Sequence, residues 1–161
     1  MAANTPTTMQ AWQKLPSQIP TKPVRNQVPV PTPADNEVLV KILAAGVCHS
    51  DCLILERPSE PEAQPFTLGH EGCGEIIAFG SKVDQQRLKL GQRVVLSCCP
   101  GCKEDDCREC SKGLERRCLR YGMYGLQKPG FFADYVTAKE WAVVPVPDGQ
   151  NIYLGYYMPH D

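Results

Sequence analysis

Nine cysteines and three histidines are spread unevenly over the 161 residues. The densest run reads Cys102-x₄-Cys107-x₂-Cys110-x₇-Cys118, with Cys98 and Cys99 just upstream. Paired cysteines at x₂ spacing in a reducing compartment read as thiolates closed around a structural zinc ion. The alternative, a set of unrelated surface thiols, would leave them open to oxidation. A second constellation lies earlier: Cys48 heads the run Cys48-His49-Ser50-Asp51, and 22 residues beyond Cys48 comes Gly69-His70-Glu71. A thiolate and an imidazole from two separate segments leave a metal short of four ligands, the condition for a catalytic site with an exchangeable position. A solitary Cys or His is more often packed than metal-bound, so this pair gains weight only from its neighbours.

Those neighbours are specific. The segment Gly69-His70-Glu71-Gly72-Cys73-Gly74, followed by Gly80 and Val83, fits at each fixed position the zinc alcohol dehydrogenase signature: Gly-His-Glu, any two, Gly, any five, Gly, any two, small or aliphatic. A glycine there lets the backbone turn tightly beside a metal where a Cβ would clash. With Cys48-His49-Ser50-Asp51, the chain resembles the zinc-dependent medium-chain alcohol dehydrogenases, in particular their GroES-like catalytic domain. The resemblance implies that Cys48 and His70 are two of three protein ligands of a catalytic zinc, and that Glu71 lies just behind it. It further implies that Ser50 bonds the substrate hydroxyl and takes its proton, that Asp51 orients the ring of His70, and that His49 contacts a cofactor pyrophosphate. Many relatives place a histidine five residues after the first ligand to pass the proton to solvent; here that position is Leu53, and Cys52 beside it reads as a packed thiol.

The family's cysteine lobe is Cys-x₂-Cys-x₂-Cys-x₇-Cys, whose last three positions match Cys107, Cys110 and Cys118. For the first ligand, spacing favours Glu104 and the preference of zinc for soft donors favours Cys102; both remain open at this level. Segments near the end of the match, Gly130-Phe131-Phe132-Ala133-Asp134-Tyr135 and Val144-Pro145-Val146-Pro147, also resemble the family, so the resemblance spans roughly residues 10 to 149.

Such ligands need a scaffold. Fifteen prolines and 13 glycines divide the chain into short apolar segments without a sustained helical period, so the fold expected is mainly β, packed as a partly open barrel with a projecting lobe over about 98–118. The resemblance implies that this barrel is GroES-like, with short helices, and that the lobe binds zinc. Strands are expected at 38–43, 75–79, 93–96, 133–137 and 142–146. The Val/Pro alternation at 28–33 suits an edge or connecting arm, and 56–65 reads as a surface loop. Residues 1–10 read as a frayed start, with neither a basic residue nor an apolar core of a leader. Residues 150–161 resemble nothing in the family, which at this point continues toward the third zinc ligand and a Rossmann domain. No Gly-x-Gly-x-x-Gly lies between a strand and a helix, so no dinucleotide site is expected within the chain itself.

Seventeen Lys and Arg balance 18 Asp and Glu, which offers no field for nucleic acid or an acidic membrane, and no apolar run approaches a membrane span. The expected product is a cytoplasmic zinc-binding domain of an oxidoreductase that interconverts alcohols and carbonyls with NAD or NADP, inactive by itself. The different class is a non-catalytic zinc-binding or interaction module, or a truncated gene product. Pairing with another copy or an intact paralogue is open to it.

Overall fold

The computed structural model describes residues 5–16, 22–58, 63–147 and 149–150. Most of the expected tail at 150–161, including His160 and Asp161, therefore lies outside the described residues. Strand-forming segments rich in Val, Ile and Ala alternate along the chain with Gly- and Pro-bearing turns, and they pair wholly antiparallel. Strands β1 (Thr8–Lys14), β2 (Val24–Pro29) and β4 (Phe66–Thr67) form a three-stranded sheet in the order β2-β1-β4. Strands β3 (Glu37–Gly46), β5 (Glu71–Phe79), β6 (Arg93–Leu96), β7 (Tyr135–Lys139) and β8 (Val143–Pro145) form a five-stranded sheet in the order β7-β3-β5-β6-β8. Both sheets keep two edges, so the fold is mainly β and is not a closed barrel.

The longest pairing joins β3 to β5, running from Val38 opposite Phe79 to Gly46 opposite Glu71. Its register slips twice, once between Leu39 and Val40 and again between Ile42 and Ala44. The second slip leaves Leu43 as an extra residue, which bends the end of β3 around the first residues of β5. That end carries the chain to Cys48 and α1 (His49–Glu56), while the start of β5 carries His70 and Glu71. Both constellation segments are thus brought together by one hairpin-like pairing.

The core lies on one face of the five-stranded sheet, where Val38, Val40, Ile76, Val94 and Val136 pack with Leu88, Tyr124 and Phe131. A short extended run at 130–134 stitches the sheets together. Phe131 N–H donates to Gly69 O and Phe132 N–H to Leu68 O, both at 2.9 Å, and Trp12 N–H donates to Phe132 O at 2.8 Å.

Several boundaries differ from the sequence expectation. The frayed start does not reach residue 8, because Thr8 to Gln10 already pair with Gln27 to Pro29. The arm at 28–33 begins inside edge strand β2, where prolines cost no ladder donors on the unpaired side. The strand expected from Ala133 starts at Tyr135, with Ala133 making one isolated bridge to Ala11. Helix α1 falls on residues that the sequence reading took for their chemistry, His49, Ser50 and Asp51, and for a packed thiol, Cys52, and its hydrophobic face is too weak to signal a helix. Among the described residues, no helix is long and apolar enough to cross a membrane.

Candidate metal centres

Cys48 is the N-cap of α1, with extended backbone at φ −104° and ψ 152°. Asp51 turns its carboxylate back toward it, and Asp51 Oδ2 accepts the Cys48 N–H at 3.0 Å, as in a capping box. The other oxygen, Oδ1, lies 3.2 Å from His70 Nδ1. Asp51 and His70 are 3% and 9% exposed, and these two atoms have no other partner among the described residues. A neutral imidazole donating from Nδ1 keeps its lone pair on Nε2. Nε2 stands 3.9 Å from Glu71 Oε1, and one donor atom each from Cys48, His70 and Glu71 lie within 4.8 Å of one another. A sulfur, a nitrogen and an oxygen donor, with a buried carboxylate behind the imidazole, is a set that fits zinc. Ser50 and His49 occupy the exposed first turn of α1, where the Cys48 thiol reaches Ser50 Oγ at 3.5 Å.

The signature glycines act in two different ways. Gly69, immediately before His70, has φ +91°, and a Cβ there would strike the ring of Phe132. Gly74 has no unusual φ; a Cβ would instead strike the Lys41 carbonyl across the β3–β5 ladder. The expected tight turn beside the ligands is thus found at Gly69, whereas Gly74 permits the strands to close.

In the lobe the sulfurs of Cys102, Cys107, Cys110 and Cys118 converge, all within 4.8 Å of one another. Cys102 Sγ is 3.7 Å from Cys110 Sγ, and Cys107 Sγ is 3.8 Å from Cys118 Sγ. Four thiolates at about 2.3 Å from a central zinc stand roughly 3.8 Å apart along each tetrahedral edge, so the spacing fits the ion. Burial pushes the Cys118 thiol up, but backbone N–H groups from Tyr121, Cys102 and Arg120 outweigh it and bring it to about 6. Glu104, the other candidate, is not in the cluster; its carboxylate pairs with Arg120 at 3.0 Å, beside Asp106 at 2.6 Å. The lobe contains no strand, only 3₁₀ turns at Cys110–Lys112 and Glu115–Arg117. Trp141 Nε1 donates to Gly101 O at 3.1 Å and ties it to the sheet.

One contributor was not visible beforehand. Lys14, at the end of β1, is 7% exposed, and its ammonium donates to Ile54 O at 2.7 Å and to Arg57 O, at the C-terminal end of α1. Burial and the Arg57 charge hold it below the ordinary lysine range. A lysine 40 residues upstream carries no sequence signal for such a contact. Beside α1 opens an apolar groove of about 760 Å³, lined by Trp12, Leu43, Val47, Leu68 and Phe132, with Asp51 and Cys52 on its wall.

Residues 34–148 match the family described as the alcohol dehydrogenase GroES-like domain. Alcohol dehydrogenase 2 of Emericella nidulans is 34% identical over 83% of this chain and 37% of its own length. A zinc-type alcohol dehydrogenase-like protein of Escherichia coli is 35% identical over 82% of this chain and 39% of its own length. Among solved structures, acetophenone reductase from Geotrichum candidum, in complex with NAD, superposes with a TM-score of 0.80 at 34% identity. That match covers 93% of this chain and 43% of the reductase. The chain thus spans little more than a third of the length of the curated relatives it matches. With the family match over residues 34–148 and these likenesses, the chain belongs to the alcohol dehydrogenase GroES-like domain family.

Proposed function

We propose that these residues form the zinc-binding catalytic half of an oxidoreductase that interconverts a small alcohol and its carbonyl, with NAD or NADP as hydride carrier. The observation that supports it best is the triangle of Cys48, His70 and Glu71 with Asp51 behind the imidazole. Zinc held by Cys48 and His70 would supply a Lewis acid for the substrate oxygen. Asp51 keeps His70 in the tautomer that presents Nε2 and fixes the ring plane. Ser50, on the exposed first turn, is the hydroxyl placed to accept the alcohol proton, and Leu53 offers it no onward route. His49 lies on the same exposed turn and suits an approaching phosphate. Glu71 sits as a third donor at the rim, available while the substrate position is open. In the lobe, Cys102, Cys107, Cys110 and Cys118 hold a structural zinc.

Among the described residues no Gly-x-Gly-x-x-Gly loop leads from a strand into a helix, so the nicotinamide carrier needs residues other than those described. These residues alone are therefore inactive. A second reading, a zinc-folded interaction module, is favoured by the difference between the centres: four cysteine sulfurs converge in the lobe, three mixed donors at His70.

The chain expressed as it stands and assayed by atomic absorption should retain about one tightly held zinc, with a second taken up weakly and lost in His70→Ala. NAD-dependent oxidation of simple alcohols should be undetectable. Two tight zinc ions with turnover would remove the requirement for residues outside the chain. A weak site insensitive to His70→Ala would remove the catalytic-centre reading and leave the module.

A further inference from the structure

A smaller cavity opens between the two sheets. It holds about 170 Å³ among Met9 of β1, Glu37 of β3 and Val136 of β7, with Tyr121, Tyr124 and Lys128 contributed by the loop that precedes β7. None of its lining residues belongs to the Cys48–His70–Glu71 triangle or to the four-sulfur group of the lobe.

Its polar side has one hydrogen-bond donor too many. The hydroxyls of Tyr121 and Tyr124 stand 2.7 Å apart, and the Tyr124 oxygen also accepts the Lys139 N–H at 3.4 Å. The two phenols carry two protons between them, and only one can make the bond within the pair. The other has no acceptor among the described residues, although Tyr124 is 4% exposed and Tyr121 is half-buried. A sheltered donor without a partner costs free energy, and a group that relieves it must bring an acceptor. Burial holds both phenols above the ordinary tyrosine range, so they remain donors at neutral pH.

The charge at the cavity is also unbalanced. Lys128 Nζ sits 4.3 Å from the centre of the Tyr121 ring and forms no ion pair among the described residues. Glu37, the carboxylate in the wall, is already matched: Oε1 pairs with Lys139 at 3.1 Å, and Oε2 accepts the Ala34 N–H at 3.1 Å. The surplus is therefore one positive charge, above the same ring whose hydroxyl belongs to the phenol pair. Met9, Pro31, Ala133 and Val136 make the remaining wall apolar. We propose that this cavity binds a small aliphatic carboxylate, its two oxygens held by Lys128 and the unpaired phenolic O–H and its chain against Met9 and Val136. Carboxylate oxygens accept from both donors in charge-assisted hydrogen bonds. The volume equals that of about six water molecules at ~30 Å³ each, room for a body of a few carbons. A phosphate ion would meet the cation but leave the apolar wall unfilled.

The test is to titrate the zinc-loaded, nitrogen-15-labelled full chain with sodium butyrate and follow its amide resonances. Saturable shifts are expected in the loop 121–130 and in β7. Butyramide keeps the shape and loses the charge, propylammonium reverses the charge, and each should bind at least about tenfold more weakly. Lys128→Gln should weaken butyrate binding about 10–100-fold, the effect of losing a charged hydrogen-bond partner, with zinc content and circular dichroism unchanged. Inorganic phosphate at equal concentration should not displace butyrate. A carboxylate bound to metal at the other centre would be lost in His70→Ala, so binding in that variant should equal that of the parent chain. The proposal is overturned by an absence of saturable shifts, by butyramide or propylammonium binding as well as butyrate, or by displacement with phosphate. Unchanged binding in Lys128→Gln, or its loss in His70→Ala, overturns it equally.

Discussion

At the scale of single residues, the proposed Cys48–His70–Glu71 centre rests on the pair Asp51 and His70. Asp51 has two tasks at once: Oδ2 caps α1 through the Cys48 N–H, and Oδ1 faces the imidazole. These tasks separate chemically. Asp51→Asn keeps an oxygen for the cap but removes the anion behind the ring, so the helix should survive while the imidazole loses its orienting partner. The expected result is a loss of about 10–100-fold in zinc affinity at the His70 centre, as for other carboxylates behind a ligating histidine. Competition with a chromophoric chelator measures it, and circular dichroism should report an unchanged fold. Asp51→Ala removes both tasks and should add a stability loss of about 1 kcal/mol from the missing cap. Equal zinc affinity in the Asn variant and the parent would mean that Asp51 serves the helix alone.

Elements carry those residues, and here the sequence was legible in some places and silent in others. Strand segments in β3, β5 and β6 alternate or cluster β-branched residues plainly enough to be read, and the Gly-His-Glu motif marks the start of β5. The slip that leaves Leu43 unpaired leaves no such mark, because a bulge is decided by how two distant segments match. Helix α1 was hidden for a related reason. Its eight residues, His49–Glu56, bury only Asp51, so no apolar stripe exists to be counted. No basic residue lies in its last turn. What holds that end is Lys14 from the other sheet, placing a cation where the helix carbonyls have no intrahelical donors. Lys14→Met, which keeps the packing volume and removes the charge, should cost about 1.5–3 kcal/mol in urea unfolding, the range for hydrogen bonds from a charged group. Lys14→Arg should recover part of it. Because α1 begins at the Cys48 cap, zinc affinity at the His70 centre should fall in Lys14→Met while the lobe keeps its metal. A stability change with both zinc sites untouched would show that the two ends of α1 are not coupled.

For the molecule as a whole, the same chain is held together by two different kinds of force. The sheets rest on a continuous apolar core of Val38, Val40, Ile76, Val94 and their neighbours, which needs no metal. In the lobe, Cys107 and Cys118 are buried, yet the residues between them are mostly charged or small, and Leu114 is 43% exposed. Its ion pairs, Lys103 to Glu115 and Arg120 to Glu104 and Asp106, lie at the surface, where such pairs contribute little. Metal binding energy there is consequently folding energy. The link back to the sheets is narrow: Trp141 Nε1 to Gly101 O, and Tyr124 N–H to Cys98 O. Removal of zinc by a strong chelator should therefore melt the lobe as a separate unit. In hydrogen exchange, amides over residues 101–118 should lose protection early, while those of β3 and β5 keep theirs. Cys107→Ser should reproduce the pattern without chelator, because one missing thiolate opens the tetrahedron. Trp141→Phe should leave zinc bound but loosen the lobe against the sheet, raising exchange near Gly101 alone. If chelation instead exposes β3 and β5 together with the lobe, the narrow link transmits the whole of the metal's stabilisation, and the two parts of the molecule fold as one.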